Sequence, residues 1–365
     1  MLRPAIVTTL VTAASVVALR GARRKGARRL LDAPRTTPGE AALGPALDAL
    51  GGEVVRLRSR DGLRLAARWL PRQADEADAW PADPHEAILL LHGWSGSIAP
   101  DLVEYGPFLR STAGVLGLDF RGHGDSDDGP STFGLLEVED VAGALAWLGD
   151  RGISRVALVG TSMGGITAIA AVAVLGDGSL VAADAEPDTP RGPSPTPRPR
   201  IVAIVGDSVA PDLEVPIARR LRGPGRRFIA ARLFDGARDV LGADPRATQP
   251  DRVIGLVEPV PVLLIHGEAD TTVPIAEGRR LAALAGPHAE HWVVPGADHS
   301  GAHAVAGQDY ARRVTDFLRM AFERARGEDA ERAVDASGAH DMMTRPGPQD
   351  APPVEPSAPA MPGED

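Results

Sequence analysis

The chain has 365 residues, a hydrophobic fraction of 44% and a net charge of −10, values that allow one large globular domain or two ordinary ones. The absence of cysteine excludes disulfides, thiolate metal sites and a cysteine nucleophile, and the single lysine, Lys25, excludes a lysine base within the folded region. Cations cluster in the first thirty residues and acids in the last forty, a distribution unlike the basic folded face of a nucleic-acid-binding domain.

Residues 1–30 have the pattern of an N-terminal membrane anchor followed by a basic flank. The segment from Pro4 to Leu19 is uncharged and mostly apolar, and six cationic residues follow between Arg20 and Arg29. A cleaved signal peptide would carry its heavier charge before the apolar segment and small residues after it. Because the segment is short for a membrane-spanning helix, a helix lying on the lipid surface and an incorrectly assigned start stay alternatives. The basic flank predicts that the following domain remains in the cytoplasm.

Residues 31–52 have the composition of a short linker with a helical piece, and residues 53–326 then alternate predicted strands and helices. Residues 53–71 alternate apolar and polar side chains around Asp61–Gly62, which predicts a β-hairpin. Further strands are predicted at 87–93, 114–120, 156–159, 201–207, 260–267 and 290–296, and helices at 101–112, 135–150, 164–175, 275–286 and 305–326. This order predicts an α/β fold with a mainly parallel sheet, an antiparallel N-terminal hairpin and helices on both faces.

Three segments depart from that alternation. Residues 176–200 are rich in proline, glycine and acids, which predicts a flexible surface insertion. Residues 209–257 are rich in arginine and mainly helical in pattern. Residues 327–365 form an acidic, proline-rich stretch, which predicts a disordered tail.

The stretch LVGTSMGGI, residues 158–166, places Ser162 between glycines at the end of a predicted strand and the start of a predicted helix. It fits the pattern G-x-S-x-G, which chance also produces in ordinary turns. In a nucleophile elbow, a tight turn between strand and helix raises the serine and leaves backbone amides free to stabilise negative charge. Ser162 is therefore a candidate nucleophile.

A serine nucleophile needs a base to take its proton and a third group to orient that base. Asp270 and His299 follow the last two predicted strands, so the polar groups of interest come in the order Ser…Asp…His at strand ends. Glu268, earlier in the same turn as Asp270, is the alternative acid. His303 gives the outer spacing of a helical zinc site, but Ser300 stands where that motif needs glutamate, so we expect no metal.

Over residues 53–326 the chain resembles the α/β-hydrolase superfamily, in the elbow and in the motifs LLHGWSGS, DFRGHGDS, LLIHGEADTTVP and GADH. It is also similar to bacterial membrane-anchored members of that superfamily. The resemblance implies that Ser162 is the nucleophile, Asp270 the acid and His299 the base. It implies that the backbone amides of Trp94 and Met163 form the oxyanion hole, and that residues 209–257 cover the site as a short helical cap.

We therefore expect a serine hydrolase that acts on small-molecule carboxylic esters or related acyl substrates through an acyl-enzyme intermediate. No cofactor, metal or nucleic acid is expected, and membrane lipid is the expected contact of the N-terminal segment. A serine peptidase or an acyltransferase would use the same triad. A non-catalytic binding module on the hydrolase scaffold is the alternative from another class.

Overall fold

The computed structural model describes residues 21–73, 80–81, 83–176 and 198–344. The predicted anchor at residues 4–19, nearly all of the predicted insertion at 176–200 and residues 345–365 of the predicted tail lie outside these ranges. Among the described residues, no helix combines the length and the apolar character needed to cross a membrane.

An eight-stranded sheet forms the centre of the molecule, in the spatial order β1-β2-β4-β3-β5-β6-β7-β8. Its strands are β1 (Glu53–Arg58), β2 (Arg64–Leu70), β3 (Glu86–Leu91), β4 (Gly114–Leu118), β5 (Arg155–Thr161), β6 (Arg200–Asp207), β7 (Val262–Gly267) and β8 (Ala289–Val294). β2 pairs antiparallel with β1 and β4, and the remaining neighbours are parallel. The predicted α/β fold and its antiparallel hairpin are confirmed.

The sequence of each strand matches its place in the sheet. Every residue of β3, β4 and β7 is buried, as expected for parallel strands covered on both faces. The edge strand β1 instead alternates, with Val55 and Leu57 buried and Arg56 exposed. Because the parallel strands run the same way, their carboxyl ends, where Ser162, Asp207 and Asp270 follow, meet at one edge of the sheet.

Helices cover both faces of the sheet. After a first helix, α1, at residues 21–31, they are α2 (Gly44–Leu50), α3 (Ala99–Leu109), α4 (Glu137–Asp150), α5 (Met163–Leu175), α6 (Glu214–Arg220), α7 (Arg226–Leu241), α8 (Pro250–Val253), α9 (Ile275–Ala285), α10 (Ala302–Ala306) and α11 (Gln308–Thr344). α5 is buried nearly all round, because its small and apolar residues pack between the sheet and the neighbouring helices.

Residues 31–43, expected to belong to a linker, are bonded to the domain. The carbonyl of Pro34 accepts a hydrogen bond from the N–H of Gly96 (2.8 Å), and that of Arg35 accepts one from the N–H of Gly124 (2.9 Å). The carboxylate of Glu40 also accepts a hydrogen bond from the hydroxyl of Ser97 at 2.8 Å. This segment therefore supports the loops after β3 and β4. The sequence did not predict that role, because most of these bonds are made by backbone atoms, which every residue type carries.

The predicted helical segment, residues 209–257, contains α6, α7, α8 and two short 3-10 turns. Phe234 of α7 is fully buried and packs edge-on against Phe133, with ring centroids 5.9 Å apart. Arg246 links α6 and α7 of this segment through ion pairs with Glu214, Asp235 and Asp244. The sequence pattern and the structure agree on the helical character of this segment.

Helix α11 extends further than the sequence predicted, because it runs to Thr344 and not to residue 326. Residues 327–344 are thus helical and not part of a disordered tail. Ion pairs at helical spacing support the extension, at 2.7 Å between Arg324 and Glu328 and at 3.6 Å between Asp329 and Arg332. The chain divides into two compact units, Met1–Phe322 with the sheet and Glu323–Asp365 with the end of this helix.

Candidate active site

Ser162 lies on a sharp turn between β5 and α5, with φ of 49° and ψ of −110°, a strained conformation for a residue with a side chain. The flanking glycines make this turn possible. A Cβ on Gly160 would lie 2.3 Å from the carbonyl carbon of Gly164, and a Cβ on Gly164 would lie 2.1 Å from the carbonyl oxygen of Leu91. Only glycine fits at either position, so the G-x-S-x-G pattern is explained by close backbone packing.

His299, after β8, connects Ser162 to Asp270. Its Nε2 is 3.0 Å from the Ser162 Oγ, and its Nδ1 is 2.8 Å from the Asp270 Oδ2. An ionised carboxylate only accepts hydrogen bonds, so the arrangement assigns the ring proton to Nδ1 and leaves Nε2 free to accept the serine proton. The structure thus brings the three predicted side chains into one hydrogen-bonded chain.

The carboxylate of Asp270 is buried and fixed by its own loop. Its Oδ1 accepts hydrogen bonds from the N–H groups of Thr272 (2.8 Å) and Val273 (2.7 Å), which leaves Oδ2 for His299. Glu268, the alternative acid, is exposed. The neighbouring Asp298 stabilises this loop, since its carboxylate accepts hydrogen bonds from the N–H groups of Thr271 and of His299. Of the two candidate acids, only Asp270 contacts the histidine.

A second buried carboxylate, which the sequence analysis did not single out, lies behind this chain at the end of β6. The backbone carbonyl of Asp207 accepts a hydrogen bond from the N–H of Ser162 at 2.8 Å. Its side chain accepts hydrogen bonds from the hydroxyls of Ser208 (2.8 Å) and Tyr310 (3.1 Å). Burial raises the pKa of this carboxyl to about 6. The available signal was an acid at the end of a buried strand beside the elbow strand.

The backbone of the predicted oxyanion hole comes from two neighbouring turns. Met163 is the first residue of α5, so its N–H has no partner within the helix. Trp94 lies in the loop after β3, which turns through left-handed conformations at Ser95 and Gly96, with φ of 77° and 90°. A Cβ on Gly93 would lie 3.7 Å from the Cβ of Ser162, so the two turns are adjacent. The structure therefore places both residues beside the candidate nucleophile.

A buried histidine and a buried acid support the loop of Trp94. His92 bonds the carbonyl of Gly93 through Nδ1 (2.7 Å) and accepts a hydrogen bond from the N–H of Phe120 at Nε2 (3.1 Å). Burial lowers the pKa of His92 to about 3, so this ring stays neutral. Asp119 accepts a hydrogen bond from the N–H of Ile98 at 2.7 Å. These side chains hold backbone and do not reach the serine.

His303, the other histidine after β8, is engaged elsewhere. Its Nδ1 is 3.0 Å from the Glu104 carboxylate, and its ring lies 5.5 Å from that of Phe108 and 5.3 Å from that of Tyr310. It therefore belongs to an aromatic cluster between α3 and α11. Within the described part of the chain, no group of three or more histidine, aspartate or glutamate side chains has a geometry that could hold a metal ion.

Comparison with known proteins places this geometry in a family. Residues 88–316 match the family model described as alpha/beta hydrolase family. The chain is similar to the uncharacterized protein YfhR of Escherichia coli O157:H7, with 26% identity over 288 residues that cover 78% of this chain and 86% of YfhR.

Two solved structures share the fold. The esterase Pf2001 of Pyrococcus furiosus matches with a TM-score of 0.54 and 22% identity, covering 75% of this chain and 94% of the esterase. An alpha-beta hydrolase of Vibrio vulnificus matches with a TM-score of 0.56 and 19% identity, covering 80% and 92% of the two chains. Together with the family match, the sheet and the elbow lead to one conclusion: this chain belongs to the alpha/beta hydrolase family.

Proposed function

We propose that this protein is a serine hydrolase that cleaves carboxylic esters or related acyl compounds through Ser162, His299 and Asp270. The observation that carries the proposal is the pair of hydrogen bonds made by His299, at 3.0 Å to Ser162 and 2.8 Å to Asp270. In this role, His299 takes the proton of Ser162 as its oxygen attacks the acyl carbon, and then gives it to the leaving alcohol. Water releases the acyl group from the serine by the same proton transfers in reverse.

The carbonyl oxygen of the substrate becomes negatively charged in the two tetrahedral intermediates. We propose that the N–H groups of Trp94 and Met163 bind that oxygen. Preorganised amides of this kind lower the barrier by several kcal/mol, since they need no reorganisation when the charge develops. Asp270 stabilises the imidazolium that forms on His299 and keeps the ring in its reactive tautomer. In these proposed steps, His299 transfers the protons, and Asp270 and the two amides stabilise the charges that develop.

The test is labelling with a fluorophosphonate probe, followed by turnover of p-nitrophenyl esters of increasing acyl length. We expect the wild-type protein to be labelled and active, and Ser162→Ala to be neither. Ser111→Ala, which changes a serine remote from the elbow, serves as the matched control and keeps both properties. Absence of labelling in a folded wild-type protein would favour the non-catalytic binding module. Activity on peptide amides or transfer to an added alcohol would favour the peptidase or the acyltransferase.

The predicted membrane anchor is part of the proposal and concerns residues outside the described ranges. Its support is the apolar sequence of residues 4–19 and the cations that follow it. Extraction of cell membranes separates the alternatives. Release of the full-length protein by carbonate or high salt would indicate a surface helix, and retention would indicate a spanning one.

A further inference from the structure

A strongly basic surface of this acidic protein is made by two segments that are far apart in sequence, α1 and the stretch from the end of α6 through α7. Residues 21–31 carry five cationic side chains and no acid, and residues 219–241 carry seven arginines and two acids. We call these two segments together the basic face. The chain as a whole has a net charge of −10, so the basic face is opposite in sign to the rest of the protein.

The two segments form one surface because α1 packs on α7. Ala27 and Leu31 of α1 are buried against Ala237 of α7, and Arg23 forms an ion pair with Asp239. A Cβ on Gly236 would lie 3.0 Å from the Cβ of Ala27, so glycine allows the close approach of the helices. The cations that remain exposed are Arg24, Lys25, Arg28, Arg29, Arg219, Arg220, Arg222, Arg226, Arg227, Arg232 and Arg238.

The two acids of the basic face do little to neutralise it. Asp239 pairs with Arg23, and Asp235 pairs with Arg232 (3.2 Å) and with Arg246 from outside the face (2.8 Å). Asp212, outside the face, also pairs with Arg227 at 3.0 Å. The face carries twelve cationic side chains, so these acids still leave it with an excess of positive charge. A surface of this sign attracts a partner with a dense negative charge, such as an anionic lipid bilayer or a nucleic acid.

Exposed apolar side chains distinguish between these partners. Phe228 is 66% exposed and Ile229 is 41% exposed at the start of α7, among the arginines. The guanidinium of Arg232 lies 5.1 Å from the ring of Phe228, so cation and aromatic ring share one site. Apolar side chains inserted between basic ones are typical of helices that lie in the bilayer interface. The apolar segment at residues 4–19 also leads directly into α1 in the sequence.

The basic face lies next to the candidate active site. The guanidinium of Arg220 lies 5.4 Å from the ring of Trp94, the residue proposed to donate to the oxyanion. From the inner side of α7, Phe234 packs on Phe133, whose ring stacks 6.3 Å from that of Trp94. A bilayer that contacts this surface would thus be adjacent to the loop that holds the oxyanion hole.

We propose that the basic face docks on an anionic lipid bilayer, with Phe228 and Ile229 inserted among the headgroups. Docking is independent of catalysis. One consequence of docking rests on the proposed function: the docked enzyme takes acyl esters carried by membrane lipids. The proposal concerns a surface of the folded domain and does not depend on whether residues 4–19 span the membrane.

The test exploits the absence of cysteine from the chain. In the full-length protein, Phe228→Cys is labelled with an environment-sensitive nitrobenzoxadiazole dye, and Val54→Cys, 64% exposed on edge strand β1, is the matched control. With vesicles of phosphatidylcholine and about 30% phosphatidylglycerol we expect the emission of the dye at residue 228 to shift to the blue and brighten. The dye at residue 54 should not change. Salt at about 0.5 M should weaken the shift, because it screens exposed charges.

Charge reversal tests the electrostatic part. We expect Arg226→Glu together with Arg227→Glu to weaken vesicle binding of the dye-labelled protein about tenfold or more, since each lost cation lowers the affinity severalfold. The matched control is Arg312→Glu with Arg313→Glu on α11, which should leave binding unchanged. Circular dichroism verifies folding; these side chains are largely exposed.

Three results would overturn the proposal. The first is sedimentation with vesicles and no change in the dye at residue 228, since the protein would then be held by its N-terminus alone. The second is an equal response to neutral vesicles. The third is a response to duplex DNA in place of vesicles, which would make the basic face a nucleic-acid surface. Turnover of a short soluble ester by Ser162 reports separately on the proposed function, so loss of turnover with docking intact would count against that function alone.

Discussion

The hydroxyl of Ser208 accepts a 2.9 Å hydrogen bond from the backbone N–H of Ser300, the residue that follows His299. Ser208 and Ser300 both have positive φ, at 58° and 52°. Two strained turns, after β6 and after β8, are therefore joined by one bond directly behind the candidate base. The N–H of Ser162 is bonded to the carbonyl of Asp207, the residue before Ser208. The bond between Ser208 and Ser300 therefore fixes the position of His299 relative to Ser162.

We predict that Ser208→Ala and Ser208→Gly both lower kcat by about tenfold with little change in KM, since each frees the His299 loop. Their stabilities should differ. Both variants lose the hydrogen bonds of the hydroxyl, but glycine accepts the positive φ without strain and alanine does not, so Ser208→Gly should be the more stable of the two. Ester kinetics and thermal unfolding of both variants provide the measurement. Unchanged kcat in both variants would show that the bond does not position the histidine.

The triad makes a second prediction. Ser162→Ala should abolish turnover and probe labelling, and His299→Ala should lower kcat by about a thousandfold or more. Asp270→Asn should also be severe, because it removes the acceptor that selects the tautomer of His299. His303→Ala is the control, since its ring contacts Glu104 and an aromatic cluster and not the serine. An inactive His303→Ala beside an active His299→Ala would reverse the assignment of the base.

The buried carboxyl of Asp207 predicts a pH dependence of stability. Its pKa is about 6 in the folded protein against an ordinary value of 3.8, because burial disfavours the charged form. Between these values the folded state holds a proton that the unfolded state has lost. The contribution of Asp207 to the free energy of unfolding therefore falls as pH rises through this window, by about 1.4 kcal/mol per pH unit at the steepest point.

Asp207→Asn removes that contribution, because the amide stays uncharged while still accepting a hydrogen bond. Relative to the wild type, this variant should gain stability as the pH rises from about 4 to about 6, with a constant difference at higher pH. Urea unfolding of both proteins across this range is the measurement. Parallel stability curves would mean that the carboxyl of Asp207 is not protonated in the folded protein.

The ion pair of Arg121 and Asp140 provides a prediction about the loop after β4. Their side chains are 2% and 0% exposed and their charged atoms lie 2.7 Å apart, while Asp61 contacts Arg121 at 2.9 Å from the surface. Burial raises the pKa of Asp140 even beside its partner. Arg121→Met should lower the free energy of unfolding by about 3 to 5 kcal/mol, since it leaves Asp140 buried without a cation.

Two further variants test that reason. Arg121→Met combined with Asp140→Leu should recover part of the loss, because no charge is then buried alone. Arg64→Met, which breaks the exposed pair with Asp127, should leave thermal unfolding nearly unchanged. An equal loss in the single and double variants would attribute the effect to packing and not to charge.

The sequence by itself determined the architecture and the elbow. Strand and helix periodicity are properties of short segments, so the order of elements, the N-terminal hairpin and the strand–turn–helix around Ser162 were predicted correctly. The resemblance of the motifs after the strands to the α/β-hydrolase superfamily implied that Ser162, Asp270 and His299 act together, and parallel strands bring such strand ends to one edge of the sheet. Local patterns carry this information since each depends on neighbours in sequence.

Only the tertiary structure decided which groups support these residues. The bonds of Asp207 to Tyr310 and of Ser208 to Ser300 join residues about one hundred positions apart, and no local pattern encodes such pairs. The same holds for Pro34, which bonds the loop of Trp94 through a backbone carbonyl, and for the packing of α1 on α7. The end of α11 was missed for the opposite reason, because charged residues at helical spacing stabilise a helix without the apolar face that periodicity detects.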